Sequence, residues 1–103
     1  MAKQLKYSES ILAVKGQKQD DTHCCLCGST QYVQRHEIFY GRAYRQKSKK
    51  YGLWVNVCQA CHDKIHFGKD HSIDRKLKQG AQECFEELYG HTLFMTEFDK
   101  NYL

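Results

Sequence analysis

The sequence has no run of about eighteen apolar residues, the length a helix needs to cross the hydrocarbon of a bilayer. No membrane-spanning role is expected. Internal repeats and low-complexity tracts are also missing, which argues against a repeat array or a disordered linker and for one domain over residues 1–103. The opening Met1-Ala-Lys-Gln-Leu-Lys is polar and lacks the apolar stretch of a secretory leader. The six cysteines therefore fit a reducing compartment, where thiolates hold metal, better than a disulfide framework. The expected location is cytoplasmic. A chain this short buries only a modest core, so a metal staple would help decide whether it folds. Charge of one sign is not in large excess: the formal net charge is +4. Acids are absent from one stretch, however. Gly41 to Tyr51 reads Gly-Arg-Ala-Tyr-Arg-Gln-Lys-Ser-Lys-Lys-Tyr, with Arg42, Arg45, Lys47, Lys49 and Lys50 as its positive side chains.

What is present is concentrated between Cys24 and His66. Cys24-x-x-Cys27 and Cys58-x-x-Cys61 form two knuckles separated by thirty residues. Two residues between thiolates let both sulfurs of a turn reach one ion, so the four cysteines predict a tetrahedral structural Zn2+ site. Cys25 competes with Cys24 for the first position, but only Cys24 keeps the two-residue spacing to Cys27. Cys84 lies in a helical pattern beside Phe85 and reads as a small buried side chain. His62 and His66 follow the second knuckle at i, i+4, which puts both imidazoles on one face of a helix at the spacing for a shared second ion. His23 and His71 stand alone in polar surroundings and are left out of the site.

Local patterns place these residues. Leu5 to Val14 is a mixed segment, its Ile11-Leu12-Ala13-Val14 run either a short strand or one helical turn, and Gly16 to Thr22, with no apolar residue, is a polar connection. Gly28 is suited to a left-handed knuckle turn, having no Cβ to clash. Gln31 to Tyr40 is rich in aromatic and β-branched residues and predicts a strand carrying His36 near its end. The basic segment then reads as a long loop. Leu53 to Val57 is a second strand with Leu53, Val55 and Val57 on one face and Trp54 and Asn56 on the other. Cys58 to Phe67 continues as a helix that stops near Gly68. From Ser72, capped by Ser72 or Asp70, residues Ile73, Leu77, Ala81, Phe85 and Leu88 recur at helical steps, leaving Lys76, Lys78, Gln82, Glu86 and Glu87 outside, and Gly90 separates this helix from a second over Thr92 to Phe98.

The set Cys24, Cys27, His36, Cys58, Cys61, His62 and His66, over about forty-three positions, resembles the HNH or ββα-metal endonucleases, in the branch whose hairpin and helix are tied by two zinc knuckles. The resemblance implies an α+β fold: a small, treble-clef-like ββα-metal core at residues 24–67, stapled by the four-cysteine zinc site, with a C-terminal helical extension at 72–98. It implies a divalent-ion-dependent DNA endonuclease or nickase. His36, His62 and His66 would hold the catalytic ion, Mg2+, Mn2+, Ni2+ or Zn2+, which would offset charge on the scissile phosphate and the leaving oxygen. The chain also looks like small phage-encoded proteins of that branch, which have a similar Lys/Glu-rich helix and a Lys-Asn-Tyr-Leu ending. That likeness implies the host cytoplasm as the location and phage recombination or packaging proteins as partners.

The chain departs from the family pattern at the catalytic dyad. The family usually has Asp-His or His-His on the first strand, metal ligand first and base second; this chain has His36-Glu37. In the same register His36 binds metal and Glu37 takes the base position, where a carboxylate is a weak proton acceptor near neutral pH. With the roles exchanged, His36 is the base and Glu37 the ligand, since carboxylates bind hard ions well. Asn56 stands two residues before Cys58, nearer the knuckle than the family's middle asparagine, so it is either that residue or a plain exposed strand residue. Arg42, Arg45, Lys47, Lys49 and Lys50 are expected to contact the DNA backbone. Two other functions fit the same residues: a catalytically inactive HNH-like module that binds nucleic acid or a protein, and a zinc-stabilised interaction domain.

Overall fold

The computed structural model describes residues 22–103, and the expectations for Leu5 to Val14 and for residues 16 to 21 lie outside them. The order of elements is β1 (Gln34–Glu37), α1 (Arg45–Tyr51), β2 (Trp54–Val57), α2 (Gln59–Phe67), α3 (Ser72–Tyr89) and α4 (His91–Phe98). β1 and β2 pair antiparallel, with His36 opposite Val55 and Glu37 opposite Trp54. β1 is shorter than its sequence pattern suggests. Tyr32 sits at φ 51, a left-handed conformation that breaks extended backbone before Gln34.

The basic segment is not a long loop. Its second half is α1, and Tyr44, Ser48 and Tyr51, spaced four and three apart, form the face that packs inward. Ser48 is fully buried; its hydroxyl donates to Phe39 O at 2.8 Å and accepts from Phe39 N at 3.0 Å. One small side chain thus satisfies the backbone of the segment leaving β1 and fixes α1 against it. Gly52 closes the helix at φ 72, returning its N–H to Lys49 O, and the chain turns directly into β2.

β2 is buried on both faces, with Trp54 and Asn56 on one side and Val55 and Val57 on the other. The Arg35 guanidinium covers the Trp54 ring at 4.1 Å, and Asn56 lies against the first knuckle, its carbonyl accepting from Cys25 N at 2.8 Å. Among the described residues a hydrophobic cluster runs from Cys24 and Ile38 through Val55 and Ile65 to Phe85, Phe94 and Phe98. The C-terminal helices therefore complete the core of the hairpin. Phe39 bridges the two halves, its ring 4.6 Å from Phe98 and 5.6 Å from Phe94.

α3 begins at Ser72 with His71, not Ser72 or Asp70, at the N-cap position and no side-chain cap bond; Asp70 Oδ1, one residue earlier, accepts from Ser72 N at 2.9 Å. Three positions on α3 depart from the expected pattern, Lys78 among them with its side chain only 16% exposed. Gln82 is fully buried, bonding Glu86 Oε2, Asn101 Oδ1 and Tyr102 N, and so ties the C-terminal residues to the helix. Leu88 is 53% exposed; Tyr89, one position on, packs instead against Phe85 and Tyr51 at 4.8 and 5.4 Å. Among the described residues no helix is long and apolar enough to cross a membrane.

Candidate metal centres

The first centre is assembled by two turns. In the first knuckle Leu26 N points at Cys24 Sγ at 3.4 Å and Gly28, at φ 79, returns its N–H to Cys24 O at 2.9 Å. In the second, Cys58 caps α2, its sulfur accepting from Cys61 N at 3.4 Å. Amides aimed at sulfur favour the thiolate, the form that binds metal. Burial pushes the Cys24 thiol up, but backbone N–H groups of the two knuckles outweigh it and bring the group down to about 6. The sulfurs of Cys24, Cys27, Cys58 and Cys61 all lie within 4.8 Å of one another. Two thiolates about 2.3 Å from one ion in tetrahedral array stand roughly 3.8 Å apart, and Cys27 Sγ and Cys58 Sγ are separated by 3.6 Å. The cluster fits a zinc-sized ion. Cys25 is outside it, and burial raises that thiol to about 11, keeping it protonated. Cys84 is buried in the core, also outside the cluster.

The second group lies along the same helix. His36 projects from β1 while His62 and His66 project from successive turns of α2, and their ligand atoms also fall within 4.8 Å of one another. The His36 ring stands 5.2 Å from His62 and 5.3 Å from His66, edge to face in both cases. His62 Nε2 and His66 Nε2 are 3.1 Å apart, near the roughly 3.4 Å of two nitrogens sharing a tetrahedral ion at about 2.1 Å. His36 is 2% exposed, and its Nε2 is buried with no hydrogen-bond partner among the described residues. An orphaned buried nitrogen costs about 1–3 kcal/mol, and a cation among the three rings would remove that cost. Burial, then the neighbouring His62 and His66, lowers His36 to about 3, which keeps its lone pair available. His62 is lowered by burial and by His66, partly offset by Asp63 and Glu37.

Glu37 is not part of the nitrogen group. As the next residue on β1 it alternates to the opposite side of the strand from His36, although its charge reaches His62. Asn56 is buried beside the sulfur cluster's first knuckle and is not one of the grouped residues. It is therefore not the exposed strand residue allowed for in the sequence.

The basic side chains are distributed by α1. Arg42 and Arg45, with Gln46, line an open cleft of about 350 Å³. Lys47 is directed elsewhere: its ammonium donates to Glu97 O at 2.7 Å and lies 5.8 Å from the Tyr44 ring. Lys50 Nζ lies 5.2 Å from the Tyr51 ring, and Lys49 is half-buried. Periodicity did not reveal the residues that enclose the histidines from the far side. Tyr40 is packed against His36 and His66, and Lys78 of α3 lies over Tyr40. An aromatic four residues beyond His36 was the only sequence signal for the first, and none marked the second.

Compared with family models, curated proteins and solved structures, the chain matches none.

Proposed function

We propose that this chain is a small HNH-type, divalent-ion-dependent DNA endonuclease or nickase, with a sulfur site that holds its shape and a nitrogen site that does its chemistry. The observation that carries this reading is the convergence of His36, buried and with an unmet Nε2, on His62 and His66. Burying His36 against two half-buried imidazoles with its Nε2 unmet is unfavourable without a ligand, and the unmet polar atom points to one. Neutral nitrogens with no carboxylate among them suit Zn2+ or Ni2+ better than Mg2+ or Mn2+, which prefer oxygen. Such an ion would supply Lewis-acid stabilisation of negative charge on a phosphodiester and its leaving oxygen. The protein's own part is orientation. β1 and α2 fix the three rings from two elements, and the Arg42 and Arg45 cleft supplies paired guanidinium groups for neighbouring phosphates.

All three histidines belong to one cluster, so the proton acceptor for an attacking water has to come from outside it; Glu37, which the family register puts at the base position, reaches His62 with its charge but lies on the other side of β1. That position favours a second reading, an HNH-like module that binds nucleic acid and cuts slowly or not at all. Purified protein loaded with zinc is mixed with supercoiled plasmid and Ni2+, Mn2+, Zn2+ or Mg2+. The nuclease reading expects metal-dependent nicking, abolished by His36→Ala and by His62→Ala. It also expects Glu37→His to raise the rate if position 37 is the base. Plasmid left intact under every ion, with a gel shift that weakens as salt rises, would select the binding module; neither cutting nor binding would remove both.

A further inference from the structure

The histidine cluster is enclosed by more than the elements that carry its rings. Tyr40, in the segment leaving β1, places its ring 4.6 Å from His66 and 5.7 Å from His36, tilted at 62° and 50°. Lys78 Nζ of α3 stands over the same ring, 4.5 Å from its centroid. Lys78 is held in turn by Asp74, one helical turn earlier, at 2.9 Å from Oδ2, with the two side chains only 16% and 14% exposed. The second Asp74 oxygen, Oδ1, is buried without a hydrogen-bond partner. Burial raises the Tyr40 phenol first, and the adjacent Asp74 carboxylate raises it further, so the ring stays a neutral phenol.

An ordinary surface i, i+4 pair contributes little and is not built around an aromatic ring. This pair is largely desolvated, and it is stacked through one ring onto two of the three histidines. We propose that Tyr40 is a positioning residue for the histidine site, and that Asp74 and Lys78 make α3 part of that site by holding the ring. Ligating imidazoles need a fixed plane, and contacts one layer out commonly carry roughly 10- to 100-fold in metal affinity. Tyr40 fixes the plane by packing against the imidazole rings; the cation over its own ring fixes Tyr40. The proposal rests on the reading of the three histidines as an ion site.

The test is a titration of the full chain, its sulfur site filled with zinc, with Co2+ followed by visible absorption for the second equivalent. Wild type should bind that equivalent, Tyr40→Leu should bind it roughly 10- to 100-fold more weakly, and Tyr40→Phe, which keeps the ring, should retain most of the affinity. Asp74→Asn should fall between them, and decides the matter if Tyr40→Leu does not fold. A variant that melts earlier yet binds the second equivalent as tightly as wild type would reduce the clamp to packing and overturn the proposal. Wild type that takes up only the sulfur-site ion would remove the histidine site and this proposal together. Wild type that binds two ions but never nicks plasmid would end the nuclease reading alone.

Discussion

Ser48 shows how much one small polar residue carries in this chain. It is fully buried, and its hydroxyl serves both the N–H and the C=O of Phe39, at 3.0 and 2.8 Å. Phe39 in turn brings the aromatic rings of α4 onto the hairpin. Replacing Ser48 by Ala removes one oxygen and leaves two buried backbone groups without that partner, at about 1–3 kcal/mol. For a domain of this size each kcal/mol shifts the melting midpoint by about 4–8 °C. Ser48→Ala, with metals saturating, should therefore melt roughly 10 °C lower by circular dichroism. A shift under about 2 °C would mean that other donors replace the hydroxyl.

At the scale of elements, the hairpin connection decides where the basic side chains go. α1 starts at Arg45 and is stopped by Gly52 at φ 72 and ψ 31, after which the chain can enter β2 at once. An L residue with a Cβ is strained in that conformation, so Gly52→Ala should cost about 1 kcal/mol, and Gly52→Asn, whose side chain tolerates it, less. Urea unfolding of the two variants gives the ordering; Ala and Asn costing the same would point to crowding at the site in place of backbone strain. This element was hard to read from sequence for a physical reason. Its inward face is Tyr44, Ser48 and Tyr51, and a buried serine between two tyrosines, among lysines and arginines, carries almost no hydrophobic signal. The elements with strong apolar periodicity or knuckle spacing were legible: the helix after Cys58, the long helix from Ser72 and the short one ending at Phe98. Spacing alone paired His62 with His66, and the grouping of His36 with them came from the family resemblance. Tyr40, Asp74 and Lys78 were not legible, since their proximity depends on how α3 folds back across the hairpin.

For the whole molecule, α2 is the shared wall of both candidate centres: Cys61 in its first turn faces the sulfur cluster, and His62 and His66 face the nitrogen cluster. The two centres should still differ sharply when emptied. Removing an ion from the sulfur cluster leaves four clustered thiols and detaches the first knuckle, whose other ties include the Cys25 N–H to Asn56 carbonyl bond. The histidines, in contrast, sit on elements already held by Ile38, Val55, Ile65 and the aromatic core. Cys27 separates metal binding from packing cleanly, because it is exposed and contributes nothing to the apolar core. Cys27→Ser changes only a ligand, and structural zinc sites supply on the order of 10 kcal/mol at neutral pH, comparable with the whole stability of a small domain. Reduced Cys27→Ser protein should thus lose its cooperative melt and much of its helical signal, and added zinc should not restore them. A combined His36→Ala and His62→Ala protein, loaded with zinc at the sulfur site, should keep a cooperative transition. The reverse pattern, a folded Cys27→Ser variant beside an unfolded histidine double variant, would mean that the nitrogen cluster is the one that holds the fold together.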